Sequence, residues 1–508
     1  MSKVPARVCA VIAEPTIEAA QTAISRAAGL ADLIELRLDY LSDFDFTNVD
    51  ELRPLLENKP LPVVITCRSV EEGGQKRVDH DVRLGLLVEG AKRFADYCDI
   101  EAAHYSEAAS LSPDLSRLIV SYHNFRETPA DLDKVYDRVT ALPAAVHKIV
   151  THATDISDSL AVLRLLDRAR SAGKQLIALA MGGAGVVTRI LGPSRGSFLT
   201  YASLGSGRES AAGQPTCDEL INLYRIRQLS RDTAVTGIIG SPVSHSASPA
   251  MHNRAFADLG LEFVYLPLEV DNIESFFTRF VRKATSELDW NLRGFSVTIP
   301  YKRDVRRFLD GLDQTASDVG AVNTVVIDEG RLIGYNTDVR GAMEPLERAV
   351  ALEGENCAVI GAGGAAHAVV HGLKTRGARV ALFARDQANA RALGERFNVD
   401  VLPLDAFSES DASVVINTTP VGMRGHAEAS SPVPRESLRG RRVAYDLVYN
   451  PLDTQFLIDA RAEGCRTLSG LEMLLAQAAL QFKLWTGQAP PIKAMRQAAM
   501  ERLTAQPS

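Results

Sequence analysis

Short runs of apolar residues punctuate the first 230 or so positions at regular intervals. They are VCAVIA (8–13), LIELRLD (33–39), VVITCRS (63–69), YCDIE (97–101), RLIVSYH (117–123), HKIVTHA (147–153), LIALAMG (176–182) and FLTYASL (198–204). Between them lie longer stretches with apolar residues at helical spacing, such as TIEAAQTAISRAAG and DSLAVLRLLDRARSAG. The short apolar runs predict strands, and the helical spacing predicts amphipathic helices. Strand and helix alternate through eight such units, which implies a parallel sheet. Eight units within roughly 200 residues predict a closed (β/α)8 TIM barrel. An open doubly wound sheet is the other arrangement that this rhythm allows.

Near Arg231-Asp232-Thr233 the rhythm restarts. VTGIIG predicts a new strand, SPVSHSASPAMHN a loop after it, and further strand–helix units run to about Ala342. CAVIGAGGAAHAVVHGL then opens a different unit: strand, glycine loop, helix. VALFA, VVINTT and RVAYDLVY predict more strands, and GLEMLLAQAALQFKLWTG a late helix. The predicted organisation is α/β throughout. A barrel spans 1–228, and a two-lobed α/β region spans 233–508. Within that region, 233–342 plus 480–508 form one lobe, and 343–479 form a Rossmann-type nucleotide-binding lobe.

Composition narrows the classes. A chain of 508 residues with 46% hydrophobic and 23% charged content is globular and longer than one ordinary domain. A net charge of −7 offers no global basic field for nucleic acid or an anionic membrane. Any anionic ligand must therefore meet local Arg and Lys. No stretch reaches the roughly 18 apolar residues of a membrane span. The six cysteines show no CxxC spacing and read as reduced core thiols. The N-terminal MSKVPARVCAVIAEP lacks a long apolar signal core and an Arg/Ser-rich transit segment, so a cytoplasmic location is expected.

Chemistry-bearing residues collect where the strands of a parallel barrel end. Glu35 and Arg37 close the second run at period-2 spacing, so they share a face. Arg68 ends the third, with Glu72 four residues on. His123 ends the fifth, Lys148 lies inside the sixth, Arg189 follows the seventh, and Ser210 and Gln214 follow the eighth. Lys148 raises the sharpest question. A lysine at a strand end often snorkels to water, but a buried, neutral lysine is a nucleophile for carbonyl carbon. In the second half, SHSASP carries Ser246 and Ser248, which also suit a helix cap. SVTIPYK carries Thr298 and Lys302, GAVNT carries Asn323, and GYNTD carries Asp338. A Lys–Asp pair can supply a proton during carbonyl reduction. Gly361, Gly363, Gly364 and Ala365 match a dinucleotide loop at a helix N-terminus. The next strand ends Ala384-Arg385-Asp386, where an arginine suits the 2′-phosphate of NADP and an acid suits the ribose of NAD; with Arg385 first, NADP is favoured. His367 and His371 stand at i, i+4 without a third ligand, so no metal is named.

Two resemblances organise these residues. ELRLD, TCRSVEEGG, SYHNF, HKIV and SAAGQ resemble the motifs of type I 3-dehydroquinate dehydratases over essentially the first half. That resemblance implies that Lys148 forms a Schiff base with the substrate ketone and that His123 is the general acid–base, oriented by Glu72. It further implies that Arg189 holds the substrate carboxylate and that Glu35, Arg37, Arg68, Ser210 and Gln214 hold hydroxyls and close the site. From about 235 to 500 the chain resembles shikimate dehydrogenases, through SHSxSP, SVTIPYK, GAVNT, YNTD, GAGGA, NTTPVGM, YDLVYNPLDTQFL and GLEMLLAQAAxQFxLW. This implies carboxylate binding by Ser246 and Ser248, and catalysis by Lys302 with Asp338. Thr298, Asn323 and Gln477 would hold ring hydroxyls. Asn417, Thr418 and Met423 would line the nicotinamide side, and Gly470 is expected at the cofactor. Many NADP-using relatives read Asn-Arg-Thr where this chain reads Ala-Arg-Asp. The expected partners are small molecules, 3-dehydroquinate and 3-dehydroshikimate or shikimate, with NADP, no prosthetic group, no nucleic acid and no membrane. Two rivals are a quinate/shikimate dehydrogenase run oxidatively with NAD, which Asp386 favours, and a metabolite sensor without turnover. A sensor should have lost Lys148, His123, Lys302 or Asp338; all four are present.

Overall fold

A computed structural model describes residues 6–504. The first five residues of the N-terminal segment read above lie outside them. By contact, the chain divides into two compact units. One comprises Met1–Ala234, Pro242–Ser244 and Leu266–Asn291; the other comprises Val235–Ser241, His245–Tyr265 and Leu292–Ser508.

In the first unit the eight apolar runs are strands β1 (Val8–Ile12), β2 (Leu33–Arg37), β3 (Val63–Thr66), β4 (Tyr97–Glu101), β5 (Leu118–His123), β6 (Val146–His152), β7 (Leu176–Met181) and β8 (Thr200–Ala202). They pair in the order β7-β6-β5-β4-β3-β2-β1-β8, and each pairing is parallel. A parallel bridge between Leu176 and Ser197, with Phe198 N–H donating to the Leu176 carbonyl at 2.8 Å, joins the two ends. The sheet is therefore a closed barrel and not the open alternative. Its interior is apolar at one end, where Cys9, Leu33, Val64, Ile119, Val146 and Ile177 pack together. Polar side chains fill the strands' C-terminal end.

The second half holds two sheets. The first joins β9 (Ala234–Gly240), β10 (Phe263–Glu269), β11 (Asn291–Leu292), β12 (Gly294–Val297), β13 (Gly311–Leu312), β14 (Thr324–Asp328) and β15 (Arg331–Tyr335) in the order β10-β9-β12-β14-β15-β13, with β11 beside β9. The second joins β16 (Asn356–Ile360), β17 (Arg379–Ala384), β18 (Asp400–Pro403), β19 (Val414–Asn417), β20 (Val443–Asp446) and β21 (Arg466–Leu468) in the order β18-β17-β16-β19-β20-β21. Numbered from its own first strand, that order is the doubly wound 3-2-1-4-5-6 pattern, whose direction switches between β16 and β19. The glycine loop follows β16 and Asn417-Thr418 follow β19, so both lie at the switch point.

Two details differ from the sequence reading. The expected loop 241–253 is loop only in its first part, because Ser248 opens a helix, Ser248–Asp258, with Pro249 in its first turn, where a missing N–H costs nothing. The expected lobe boundaries at 342/343 and 479/480 both fall inside helices, Asp338–Glu347 and Gly470–Thr486. These two helices pack on each other, and the last helix, Ile492–Thr504, packs on Ser248–Asp258. Among the described residues no helix is long and apolar enough to cross a membrane.

Candidate active sites

Lys148 is 4% exposed, so its ammonium must find partners. It meets Asp99 Oδ2 at 3.0 Å and Glu35 Oε1 at 3.2 Å, with the Tyr201 ring centroid 4.3 Å from Nζ. Glu35 also accepts from Thr66 Oγ1 at 3.0 Å. Asp99 accepts from Ser121 Oγ at 2.6 Å and pairs with Arg68 at 2.9 Å. Burial alone would raise the Asp99 carboxyl; Arg68 and then Lys148 overcome it and hold it far below the usual carboxylate range.

His123 Nδ1 lies 2.9 Å from Glu72 Oε2. With a carboxylate at Nδ1, the proton sits there and Nε2 keeps a free lone pair. Burial, then Arg68 and Lys148, push the imidazole well below its ordinary value, so it is held neutral, with a lone pair ready to accept a proton. Burial pushes Glu72 up to about 7 against the pull of Arg68. Arg189 differs from the other cations. It is 2% exposed, its Nη1 reaches only the Tyr201 carbonyl at 3.4 Å, and its Nε has no partner among the described residues. Burial pushes it down to about 10. A buried guanidinium without a counter-charge is a ready receptor for a carboxylate.

One cavity is lined by all nine residues expected here: Glu35, Arg37, Arg68, Glu72, His123, Lys148, Arg189, Ser210 and Gln214. Their commitments differ. Arg37 is bidentate to Asp39 at 2.9 and 2.7 Å, and Arg68 is held by Asp99, Glu101 and Ser121. Ser210 donates from its N–H and Oγ to Gln214 Oε1 at 2.8 and 3.2 Å.

In the second unit Lys302 Nζ lies 2.6 Å from Asp338 Oδ2. Asn323 Nδ2 donates to Asp338 Oδ1 at 2.8 Å and to Gln477 Oε1 at 3.2 Å. Four expected residues thus form one hydrogen-bonded group. Ser246 Oγ accepts from Ser248 N–H at 3.1 Å, a turn bond just ahead of the helix, whose cap is Ala247 and makes no side-chain bond. Thr298 contributes backbone bonds, its N–H to Ile239 and its carbonyl from Tyr301.

The glycine loop fits a dinucleotide. Gly361 has φ +100°, and a Cβ there would meet Thr419 Cγ2 at 2.6 Å. At Gly363 and Gly364 a Cβ would meet nothing within 4 Å, which leaves open space at the helix N-terminus for a close-lying pyrophosphate. Gly363 caps helix Gly364–Lys374, with half-buried Ala365 as its second residue, without a side-chain bond; Ala366 N–H turns back to the Gly363 carbonyl at 3.1 Å, which leaves the Gly364 and Ala365 N–H groups for a ligand. Asn417 is fully buried, bonded to Asp446, Val421 and Thr419, and Thr418 Oγ1 donates to the Ile360 carbonyl at 2.7 Å; both order the loop. Met423 is 42% exposed. Gly470 is explained by packing, since a Cβ there would sit 2.4 Å from the Leu447 carbonyl oxygen. Asp386 is spent as the cap of helix Gln387–Phe397, accepting from Ala388 and Asn389 N–H and Asn389 Nδ2. Arg385 is exposed, with no ion pair among the described residues.

The family model of type I 3-dehydroquinase matches residues 8–231. Models of the shikimate dehydrogenase substrate binding domain and the shikimate 5'-dehydrogenase C-terminal domain match 238–325 and 470–500. The chain is 36% identical to the chloroplastic bifunctional 3-dehydroquinate dehydratase/shikimate dehydrogenase of Arabidopsis thaliana, over 96% of this chain and 83% of that one. The chain belongs to the bifunctional 3-dehydroquinate dehydratase/shikimate dehydrogenase family. It is also 42% identical to the shikimate dehydrogenase (NADP(+)) of Carboxydothermus hydrogenoformans, over 53% of this chain and 98% of that one. The shikimate 5-dehydrogenase of Thermus thermophilus, solved with NADP(H) and shikimate, is 39% identical, with a TM-score of 0.48, 53% of this chain and 100% of that one being covered.

Sequence reasoning missed several residues of this dehydratase/dehydrogenase chain. Asp99 and Glu101 alternate in YCDIE as Glu35 and Arg37 do in LIELRLD, so the same period-2 signal was there to read. Tyr201 faces Lys148 from a run that reads as plain strand. On the dehydrogenase side, Tyr265 donates to Ser296 Oγ at 2.8 Å, Ser296 to Gln481 Oε1 at 3.1 Å, and Gln481 to Gln477 Oε1 at 3.3 Å. That chain supports Gln477 from behind. His367 meets Arg303 and packs with His371 on Phe397.

Proposed function

We propose that the chain carries out two consecutive reactions: dehydration of 3-dehydroquinate in the barrel (1–228), then NADPH-dependent reduction of 3-dehydroshikimate by the dehydrogenase region (233–508). The observation that carries the first is Lys148 between two carboxylates, in one cavity with a neutral His123 held by Glu72. Lys148 gives a proton to the neutral His123 and its Nζ attacks the C3 ketone; His123 returns the proton to the carbinolamine hydroxyl, which leaves as water, and a protonated imine remains. His123 Nε2 takes a proton from C2, and the C–H electrons move to the imine nitrogen. His123 then returns that proton to the C1 hydroxyl, which leaves as water, and hydrolysis frees Lys148. Arg189 holds the substrate carboxylate, and Glu35, Arg37, Arg68, Ser210 and Gln214 position its hydroxyls.

In the dehydrogenase, Lys302 gives a proton to the oxygen formed at the carbonyl, and Asp338 and Asn323 hold it in place. Ser246 and Ser248 face the substrate carboxylate, and Thr298 and Gln477 its hydroxyls. The nicotinamide cofactor, when bound on Gly361–Ala365 and beside Thr418 and Met423, supplies the hydride. An uncommitted Arg385 beside an Asp386 already used as a helix cap supports NADP over NAD, which weighs against the oxidative NAD-linked reading. The test is one coupled assay. The protein, given 3-dehydroquinate alone, should form the conjugated enone, and NADPH should then be consumed. Borohydride with 3-dehydroquinate should trap a covalent adduct that Lys148→Ala lacks, while that variant still reduces 3-dehydroshikimate. A folded protein with neither signal overturns the reading.

A further inference from the structure

A second set of imidazoles stands outside both sites. His80 opens helix His80–Arg93, directly behind its cap Asp79, whose carboxylate accepts from the N–H groups of Asp81 and Val82. His104 closes the turn Ala102–His104 after β4, and Glu107 lies three residues on, in the first turn of helix Tyr105–Ser110. The two rings meet edge to face, 4.6 Å between centroids. One ligand atom from each of His80, His104 and Glu107 lies within 4.8 Å of the others. Both histidines are half-buried and Glu107 is exposed, so the set is open to solvent on one side. Whereas Glu72 engages His123, no hydrogen bond or ion pair among the described residues commits any of these three side chains.

We propose that His80, His104 and Glu107 form a binding site for a divalent transition metal of the zinc class, separate from the chemistry of either reaction. Two imidazoles and a carboxylate are the donors such an ion prefers, and they leave a fourth position for water. Donors on a tetrahedral ion stand about 3.4 Å apart at metal–ligand distances of about 2.0–2.1 Å. The set must therefore draw in on binding. That movement has a direct route to the dehydratase. His80 is three residues before Arg83, and His104 three after Glu101. Arg83 and Glu101 form a buried pair at 2.7 Å. Glu101 also accepts from Ser69 N–H at 2.8 Å and lies 3.6 Å from Arg68, which holds Asp99, the partner of Lys148. Displacements of about an ångström or less at such a site slow turnover. Metal binding is thus inhibitory for the dehydratase and silent for the dehydrogenase.

The test titrates untagged full-length protein with Co2+, following its visible absorption, and then displaces it with Zn2+. One site per chain is expected. His80→Ala/His104→Ala should lose it, and Glu107→Ala should weaken it about 10-fold. At saturating Zn2+ the dehydratase kcat should fall several-fold in the wild type and stay unchanged in the double variant, with NADP-linked shikimate oxidation as the control. Equal cobalt binding by wild type and double variant overturns the site. Binding at the site without any change in dehydratase kcat overturns the coupling.

Discussion

Arg189 and Glu72 carry the clearest consequences at the scale of single residues, because burial has moved both against their usual charge. Arg189 is a guanidinium without a counter-ion, a cost borne by the empty protein. Arg189→Leu should raise the KM for 3-dehydroquinate by about 10–100-fold, the worth of a charged hydrogen bond, and stabilise the ligand-free protein by about 1–3 kcal/mol. Steady-state kinetics and thermal melts measure both, and an unchanged KM with a lowered melting point would contradict the assignment. Glu72 is raised from 4.5 to about 7. Below that pH it is protonated and no longer steadies the imidazolium that forms on His123. The dehydratase kcat/KM should therefore fall as pH falls through about 7, and Glu72→Gln should lose that limb and run about 100-fold slower throughout. Stability moves the other way. A raised carboxyl binds its proton more tightly in the folded state, so its contribution is full below about 4.5 and lost as pH rises through about 7. Glu72→Gln should gain on the wild type across that window in pH-resolved denaturant melts. Arg189 and Glu72 were legible from their place after strands; their states were not, because desolvation depends on neighbours that the chain order does not disclose.

Elements decide what each glycine and cap is for. Gly361 and Gly470 are required by the protein itself, one by positive φ and a close threonine, the other by a carbonyl 2.4 Å from its Cβ position. Gly363 and Gly364 face open space, so the loop's need for them lies outside the chain. Gly363→Ala should leave folding and dehydratase activity unchanged and raise the KM for NADPH about 10-fold or more, whereas Gly361→Ala should destabilise the nucleotide-binding lobe. The pair after β17 separates in the same way. Arg385→Ala should weaken NADPH about 10-fold with little effect on NADH, and Asp386→Ala should cost about 1 kcal/mol as a lost cap. A shift of preference from Asp386→Ala instead would return the acid to the cofactor. The sequence showed both residues side by side and could not say which was already employed, since capping is a matter of backbone angle. The barrel strands were legible as short, mainly apolar runs even where Glu35, Asp99 and Lys148 interrupt them, while their ends were not: the run 198–204 is a strand only over Thr200–Ala202. The helix at Ser248 was only half legible: Ser-Ala-Ser-Pro fits both a loop and the cap of a helix, and the packing of the residues after the proline decides between them.

At the scale of the whole molecule, each set of proposed catalytic residues lies within one compact unit. The barrel cavity is lined by residues between Val11 and Gln214, and the Lys302–Asp338–Asn323–Gln477 group is built from the other unit. This much was legible from the order of motifs along the chain. The contact grouping of Leu266–Asn291 with the barrel residues was not, because those residues carry no chemistry to mark them. Separate sites imply separable lesions. Lys148→Ala should abolish enone formation and keep NADP-linked shikimate oxidation; Lys302→Ala should do the reverse. Mixed in equal amounts, the two variants should together convert 3-dehydroquinate to shikimate. Fusion by itself guarantees equal numbers of the two activities and nothing about transfer between them. With transfer through bulk solution, NADPH consumption by wild type and by the mixture should show the same lag, set by the time 3-dehydroshikimate takes to reach the dehydrogenase KM. Stopped-flow absorbance of NADPH at matched site concentrations measures it. A wild type without a lag beside a mixture that has one would mean that the intermediate is handed over within a single chain.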